Sequence, residues 1–171
     1  MESHFDLPPS PWVHRWASLI RPGGTVLDVA AGSGRHARLL ARLGFEVDAV
    51  DRDKSLFEKP PPQVALLQAD IETGPWPYAG RKFDGIVVTN YLHRPLLPIL
   101  AASLERGGVL IYETFARGNE RFGKPSNPAF LLAPGELLEA VRGKLHVIAY
   151  ENLTVEQPKP AAVQRLAARQ E

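Results

Sequence analysis

Residues 26–37 read VLDVAAGSGRHA. An apolar run carries an acid, Asp28, and then gives way to small residues with two glycines one apart, Gly32 and Gly34. A basic, helix-forming stretch follows. A strand that runs straight into a glycine turn and then a helix is the opening of a β-turn-α unit. Once one such unit is present, the next strand is parallel and the sheet is covered by its crossovers.

The rest of the chain repeats that alternation. Ser10 is placed to cap a first helix with Pro11 at its first position and WVHRWASLI following. GGTVLDVA (23–30) is strand one, and GRHARLLARLG (34–44) is a helix ending at Gly44. Arg35, Arg38 and Arg42 fall on its other face, where solvation accounts for them. FEVDAVD (45–51), VALLQAD (64–70), FDGIVVTN (83–90) and GGVLIYETF (107–115) read as strands two to five. RPLLPILAASLERGG is a helix before strand five, bent or started by Pro95 and Pro98. Strands that are apolar throughout form a parallel sheet with both faces covered, and ligands bind at their carboxyl ends. Those ends carry Asp28 to Gly34, Asp51, Asp70, and Asn90 with Tyr91.

Two ligands suit a glycine turn of this kind. Gly32-Ser33-Gly34-Arg35-His36-Ala37 satisfies a dinucleotide fingerprint with alanine last, and Asp51 stands near the spacing of a ribose-binding acid. Against an NAD(P)-dependent oxidoreductase, Asp28 would repel a pyrophosphate, and 171 residues leave no room for a separate substrate domain. S-adenosylmethionine fits the same groups with no phosphate to repel. Asp28 favours its cationic end. The loop amides and helix start face its carboxylate. Asp51 accepts both ribose hydroxyls. Asp70 accepts from the adenine amine, and the Ile71 amide donates to the ring. A nucleoside-binding module without catalysis is the third alternative.

These segments resemble the Rossmann-like, seven-stranded S-adenosylmethionine-dependent methyltransferases. VLDVAAGSGRHA is similar to their first motif, Asp-x-Gly-x-Gly-x-Gly, with Ala30 in place of the first glycine. VDAVDRD resembles the acidic second-strand motif, LLQADIE the adenine motif and FDGIVVTNYLHR the fourth-strand motif. Within the family the likeness is greatest to small tellurite-resistance and thiopurine-type enzymes. The resemblance implies one methyltransferase domain over 1–171, a sheet in order 3-2-1-4-5-7-6 with strand seven antiparallel, and helices on both faces. It implies cofactor contacts from Asp28, Ala30, Gly32, Gly34, Asp51, Arg52, Asp70, Ile71, Asn90 and Tyr91. KLHVIAYENL (144–153) fits strand six. Propensity makes 161–169 a helix, whereas the topology makes it strand seven, and the topology is followed here. Ala30 is tolerable if its φ is negative and costly if positive.

The catalytic candidates are open. Tyr91 walls the pocket or contributes its hydroxyl; His93 is a base for the acceptor or a solvated loop residue. Glu113, inside VLIYETF, either finds a buried partner or faces the acceptor. Asp84 opens strand four and is a structural contact. Trp12 and Trp16 are core residues or a cover for the cofactor. The segment 116–133 lacks periodicity and follows strand five, as a cover over a small acceptor would. Arg94, Arg117, Arg121 and Lys124 cluster near it and suit one anionic group.

A net charge of +1 gives no field for nucleic acid or an anionic membrane. No cysteine is present and the five histidines are scattered, so no metal site is expected. The start, MESHFDLPPSPW, has no signal-peptide core, so a cytoplasmic location is expected. The expected partner is a small-molecule acceptor, and the expected state a monomer or homodimer.

Overall fold

The computed structural model describes residues 7–171; residues 1–6, part of the stretch read as lacking a signal core, lie outside the described residues. The described residues include four short α-helices and seven strands: α1 (Pro11–Trp16), β1 (Thr25–Val29), α2 (Arg35–Arg42), β2 (Glu46–Asp51), β3 (Val64–Gln68), β4 (Phe83–Thr89), α3 (Leu97–Ala102), β5 (Leu104–Phe115), α4 (Glu136–Val141), β6 (His146–Val155) and β7 (Ala161–Arg169). The sheet order is β3-β2-β1-β4-β5-β7-β6. Strand β7 is antiparallel to both β5 and β6, as expected.

The start of α1 follows from its first residues. The Ser10 side chain accepts from the Trp12 and Val13 amides, and Pro11 occupies the first helical position. Side chains alternate across the sheet. Val26, Val87, Val109 and Ile111 pack under α1 and α2 with Trp12, Val13, Ala37 and Leu40. Leu27, Val29, Ile86, Val88 and Leu110 face the other way, against Leu100 of α3 and Leu137 of α4. Trp12 and Trp16 pack edge to face at 5.6 Å, with Trp12 in the core.

Two expectations change. First, no α-helix lies between β2 and β3 or between β3 and β4. An aromatic group does the covering on one face instead: Trp76, Tyr78 and Phe83 pack edge to face in sequence, each neighbouring pair at 5.5 Å. Second, α3 ends at Ala102 and β5 begins already at Leu104, so the stretch around Glu105 and Arg106 is strand rather than helix. Asp84 is structural as expected: it accepts from the Thr25 amide at 2.9 Å and pairs with Arg21 at 3.1 Å. No helix is long and apolar enough to cross a membrane among the described residues.

Candidate active site

The expected cofactor residues meet at the carboxyl ends of β3, β2, β1 and β4, four neighbours in the sheet. Register explains why. Val29 lies opposite Val50 on one side and Val88 on the other, so Ala30, Asp51 and Asn90 emerge one or two residues later at one edge.

Asp28 lies one residue inside that edge, on the α2 face, and is 1% exposed. Its Oδ2 is buried without a hydrogen-bond partner. Burial pushes the carboxyl up to about 7, against the pull of the Ala37 amide and the Arg35 charge. A carboxyl stranded in this way is satisfied by taking up a proton or by receiving a cation.

The loop above it is held in positive φ at three places: Ala30 (57°), Gly32 (55°) and Gly34 (84°). Ala30 therefore falls on the costly side of the alternative posed by its sequence. Asn90, at the end of the adjacent β4, is also strained, with φ 53°. Such strain concentrates at functional sites. The left-handed conformation costs alanine about 1–2 kcal/mol, while glycine loosens the unfolded chain by roughly 0.4–1 kcal/mol. Ala30→Gly is therefore expected to keep or slightly raise the melting temperature, whereas Ala31→Gly, at ordinary φ, lowers it; thermal unfolding of the two variants checks the sign.

Asp51 is half-buried and does a job the sequence did not show. Its Oδ2 accepts from the Gly32 amide and its Oδ1 from the Asp53 amide, both at 2.9 Å. It ties the glycine loop to β2 and keeps lone pairs free for two hydroxyls. Around Gly32 itself the space where a Cβ would stand is open, with no atom within 4 Å. The Ser33 and Arg35 amides have no backbone acceptor among the described residues. Asp51→Ala removes charge-assisted contacts worth roughly 1.5–3 kcal/mol each. At least about tenfold weaker binding of S-adenosylhomocysteine by calorimetry is the expected result; unchanged affinity in a folded variant refutes the ribose role.

Asp70 is exposed and caps its own turn, accepting from the Glu72 and Thr73 amides and from the Thr73 hydroxyl at 2.8 Å. Those bonds hold its carboxyl below the usual range. Ile71 packs on the core beside it. Arg52 sends its charge toward Asp53, Asp70 and Tyr91. The Tyr91 hydroxyl donates to Glu72 Oε2 at 3.0 Å, and His93 Nδ1 stands 3.5 Å from Glu72 Oε1. Glu72 thus joins two catalytic candidates, a partner that no motif disclosed.

Glu113 takes the partner its burial requires. It pairs with Arg165, which also pairs with Glu151 at 3.0 Å. His36, on α2, is 2% exposed. The Ser10 amide donates to His36 Nε2 at 2.9 Å, so the proton sits on Nδ1, 3.2 Å from the Thr89 hydroxyl. Burial and Arg35 push its pKa down to about 3. His36 therefore fastens the N-terminal segment over the end of β4 as a neutral ring. The sequence treated it as one scattered histidine; its only signal was a position inside the helix that follows the glycine loop. Arg35 and Arg38 are likewise more than solvated: Arg35 donates to the Pro8 carbonyl at 2.7 Å, and Arg38 to the Glu58 and Lys59 carbonyls.

The segment 116–133 is an anchored loop. A bridge between Ala116 and Leu132 closes its base. Buried Asn119 donates to the Pro125 carbonyl and accepts from the Ala162 amide. Arg94 is taken up by Glu136 and by the Ala129 and Leu131 carbonyls, so it is not the free cation expected. Phe122 and Phe130 of this loop remain exposed.

Residues 26–108 match the family described as methyltransferase domain. Just under half of the chain is thus similar to a methyltransferase domain. TehB from Haemophilus influenzae superposes with a TM-score of 0.76 at 19% identity, over 93% of this chain and 61% of that one. A TehB-like SAM-dependent methyltransferase from Corynebacterium glutamicum gives 0.68 at 17% identity, over 93% and 86%. The fold is thus the Rossmann-like fold of S-adenosylmethionine-dependent methyltransferases. Among curated relatives, protein-L-isoaspartate O-methyltransferase of Methylorubrum extorquens is 37% identical over 79 residues, 43% of this chain and 34% of that protein. The ribosomal protein L11 methyltransferase of Campylobacter concisus is 34% identical over 97 residues, 53% and 35%. The chain spans only about a third of the length of these two. The matched stretch 26–108 includes β1 from Val26 on, β2 to β4 and every expected cofactor residue.

Proposed function

We propose that this methyltransferase domain takes S-adenosylmethionine as donor and methylates a small molecule held near the ends of β4 and β5. One observation carries the donor: a buried acid with an unpartnered oxygen, an open glycine loop and Asp51 converge at adjoining strand ends. When bound, S-adenosylmethionine supplies a methyl group on a positively charged sulfur, already activated for in-line displacement. Asp28 would balance the positive charge, Asp51 hold the ribose, and Asp70 with Ile71 the adenine. What remains for the protein is alignment and exclusion of water. Glu113 lies opposite Thr89 at the acceptor side, and its ion pair with Arg165 keeps it in place. The near-neutral chain and the exposed Phe122 and Phe130 of the 116–133 loop favour a compact acceptor. The relatives' names favour a second reading, a protein acceptor such as an isoaspartyl chain.

Calorimetry with S-adenosylhomocysteine and with NAD tests the donor; tighter binding of NAD defeats it, and binding without turnover of any acceptor leaves a nucleoside-binding module. Labelled S-adenosylmethionine offered to thiols, phenols, oxyanions, transfer RNA and an isoaspartyl peptide tests the acceptor. Phe122→Ser with Phe130→Ser is expected to lower turnover of a small acceptor about tenfold through poorer water exclusion, with cofactor affinity unchanged. Methylation of the peptide or the RNA alone defeats the small-molecule reading.

A further inference from the structure

We propose that the recess between the N-terminal segment, α2 and the loop after β2 binds a phosphate group carried by a small molecule. The recess measures about 480 Å³ and is lined by Ser33, Arg35, Arg38, Arg42, Glu58 and Lys59 among others. That volume is within the usual range for small-ligand sites. Four cationic groups face one carboxylate, in a chain whose whole net charge is only +1.

The cations are fixed without being neutralised. Arg35 and Arg38 are oriented by the backbone carbonyls of Pro8, Glu58 and Lys59. A carbonyl aims a guanidinium while leaving its charge and its remaining donors free. Arg38 is also stacked 4.8 Å from the Phe57 ring. Arg35 feels Asp28 and Glu113 on its inner side, but Arg38, Arg42 and Lys59 have no ion-pair partner among the described residues. Lys59 is held with φ 49°, a strained backbone for a lysine. A solvated stripe on a helix needs neither fixed guanidinium groups nor a strained loop beside it. Planar, fixed forks with uncompensated charge suit a multiply charged oxyanion better than a single carboxylate. The cofactor carries no phosphate, and of the recess residues only Ser33 and Arg35 belong to the glycine loop and helix start, which would face the cofactor through their backbone amides.

The test uses the whole chain, pyrophosphate as probe, and calorimetry at constant chloride. One site is expected, unaffected by saturating S-adenosylhomocysteine. Arg42→Gln and Lys59→Gln, both exposed and outside the cofactor contacts, should each weaken pyrophosphate about tenfold, the loss of one charge-assisted contact. Both should leave S-adenosylhomocysteine affinity and melting temperature as they were. The proposal is overturned if pyrophosphate fails to bind at about 1 mM, if the two variants bind it as the parent does, or if S-adenosylhomocysteine competes, since the recess is then the cofactor's carboxylate pocket. Tighter binding of a single-stranded oligonucleotide, lost in the same variants and steeply salt-dependent, overturns it in favour of a nucleic-acid surface. None of these readouts requires turnover, so the proposal stands or falls apart from methyl transfer.

Discussion

Lowering the pH from about 7.5 to about 5.5 weakens S-adenosylmethionine binding about twentyfold. The cause is Asp28, whose carboxyl titrates at about 7 in the ligand-free protein because it is buried. A bound cation requires the ionised form, so below that value binding must expel a proton, at about tenfold in affinity per pH unit. Stability does not confound the measurement. Asp28 is raised from 3.8, so its contribution falls as pH rises from there through about 7. His36 is lowered from 6.5 to about 3, so its contribution falls as pH drops through that span. Between about pH 4 and 6.5 the two slopes oppose each other and largely cancel. Calorimetry in two buffers of different ionisation enthalpy should show nearly one proton released at about pH 5.5, and Asp28→Asn should bind weakly with no such dependence. An affinity flat over this range in the parent removes Asp28 from the site.

Gly34→Ala costs about 3 kcal/mol of stability. A Cβ there would lie 1.2 Å from Phe57 Cε2 and 1.7 Å from Cδ2, at φ 84°. Phe57 is buried and stacked against Arg38, so its ring cannot step aside freely. Overpacking of this kind costs about 1–3 kcal/mol and the left-handed alanine about 1–2 more, a fall in melting temperature of roughly 6–12 °C. Gly32→Ala is the contrast. It meets no atom within 4 Å, so only the strain of about 1–2 kcal/mol applies. Its methyl, however, projects into the opening over the loop and should weaken cofactor binding at least about tenfold. If the two substitutions destabilise equally, or Gly32→Ala binds normally, the division between a packing glycine and a ligand-facing glycine is wrong.

Much of this was legible in the residues, for identifiable reasons. The glycine turn and Asp51 carry local chemistry at a strand end, where sequence and position coincide. Strand β7 was not legible from propensity: Ala161–Arg169 is rich in good helix formers. It is a strand because β5 and β6 hydrogen-bond to it on both sides, a tertiary demand that overrides local preference. Its small side chains fit a strand buried almost throughout. The uncovered crossovers around β3 were invisible because a helix and a loop with aromatic cover both satisfy the same apolar count. His36, Glu72 and Arg165 were missed for a shared reason: each acts through a partner 14 to 53 residues away, and no spacing rule reaches that far.

The thin cover around β3 has a consequence for how the site comes and goes. β3 is an edge strand, hydrogen-bonded to β2 alone, mostly exposed along its length, with no α-helix before or after it. Little apolar surface is lost when it detaches, so its local opening free energy is low. Asp70 and Ile71 hang from its end. With Asp70 and Ile71 as the proposed adenine contacts, that part of the site is mounted on a weakly protected edge, while the proposed methionine end rests on β1 and α2 in the core. On the proposed assignment, opening β3 would release the adenine first and leave the rest of the sheet intact, giving a spent donor a way out without unfolding the domain.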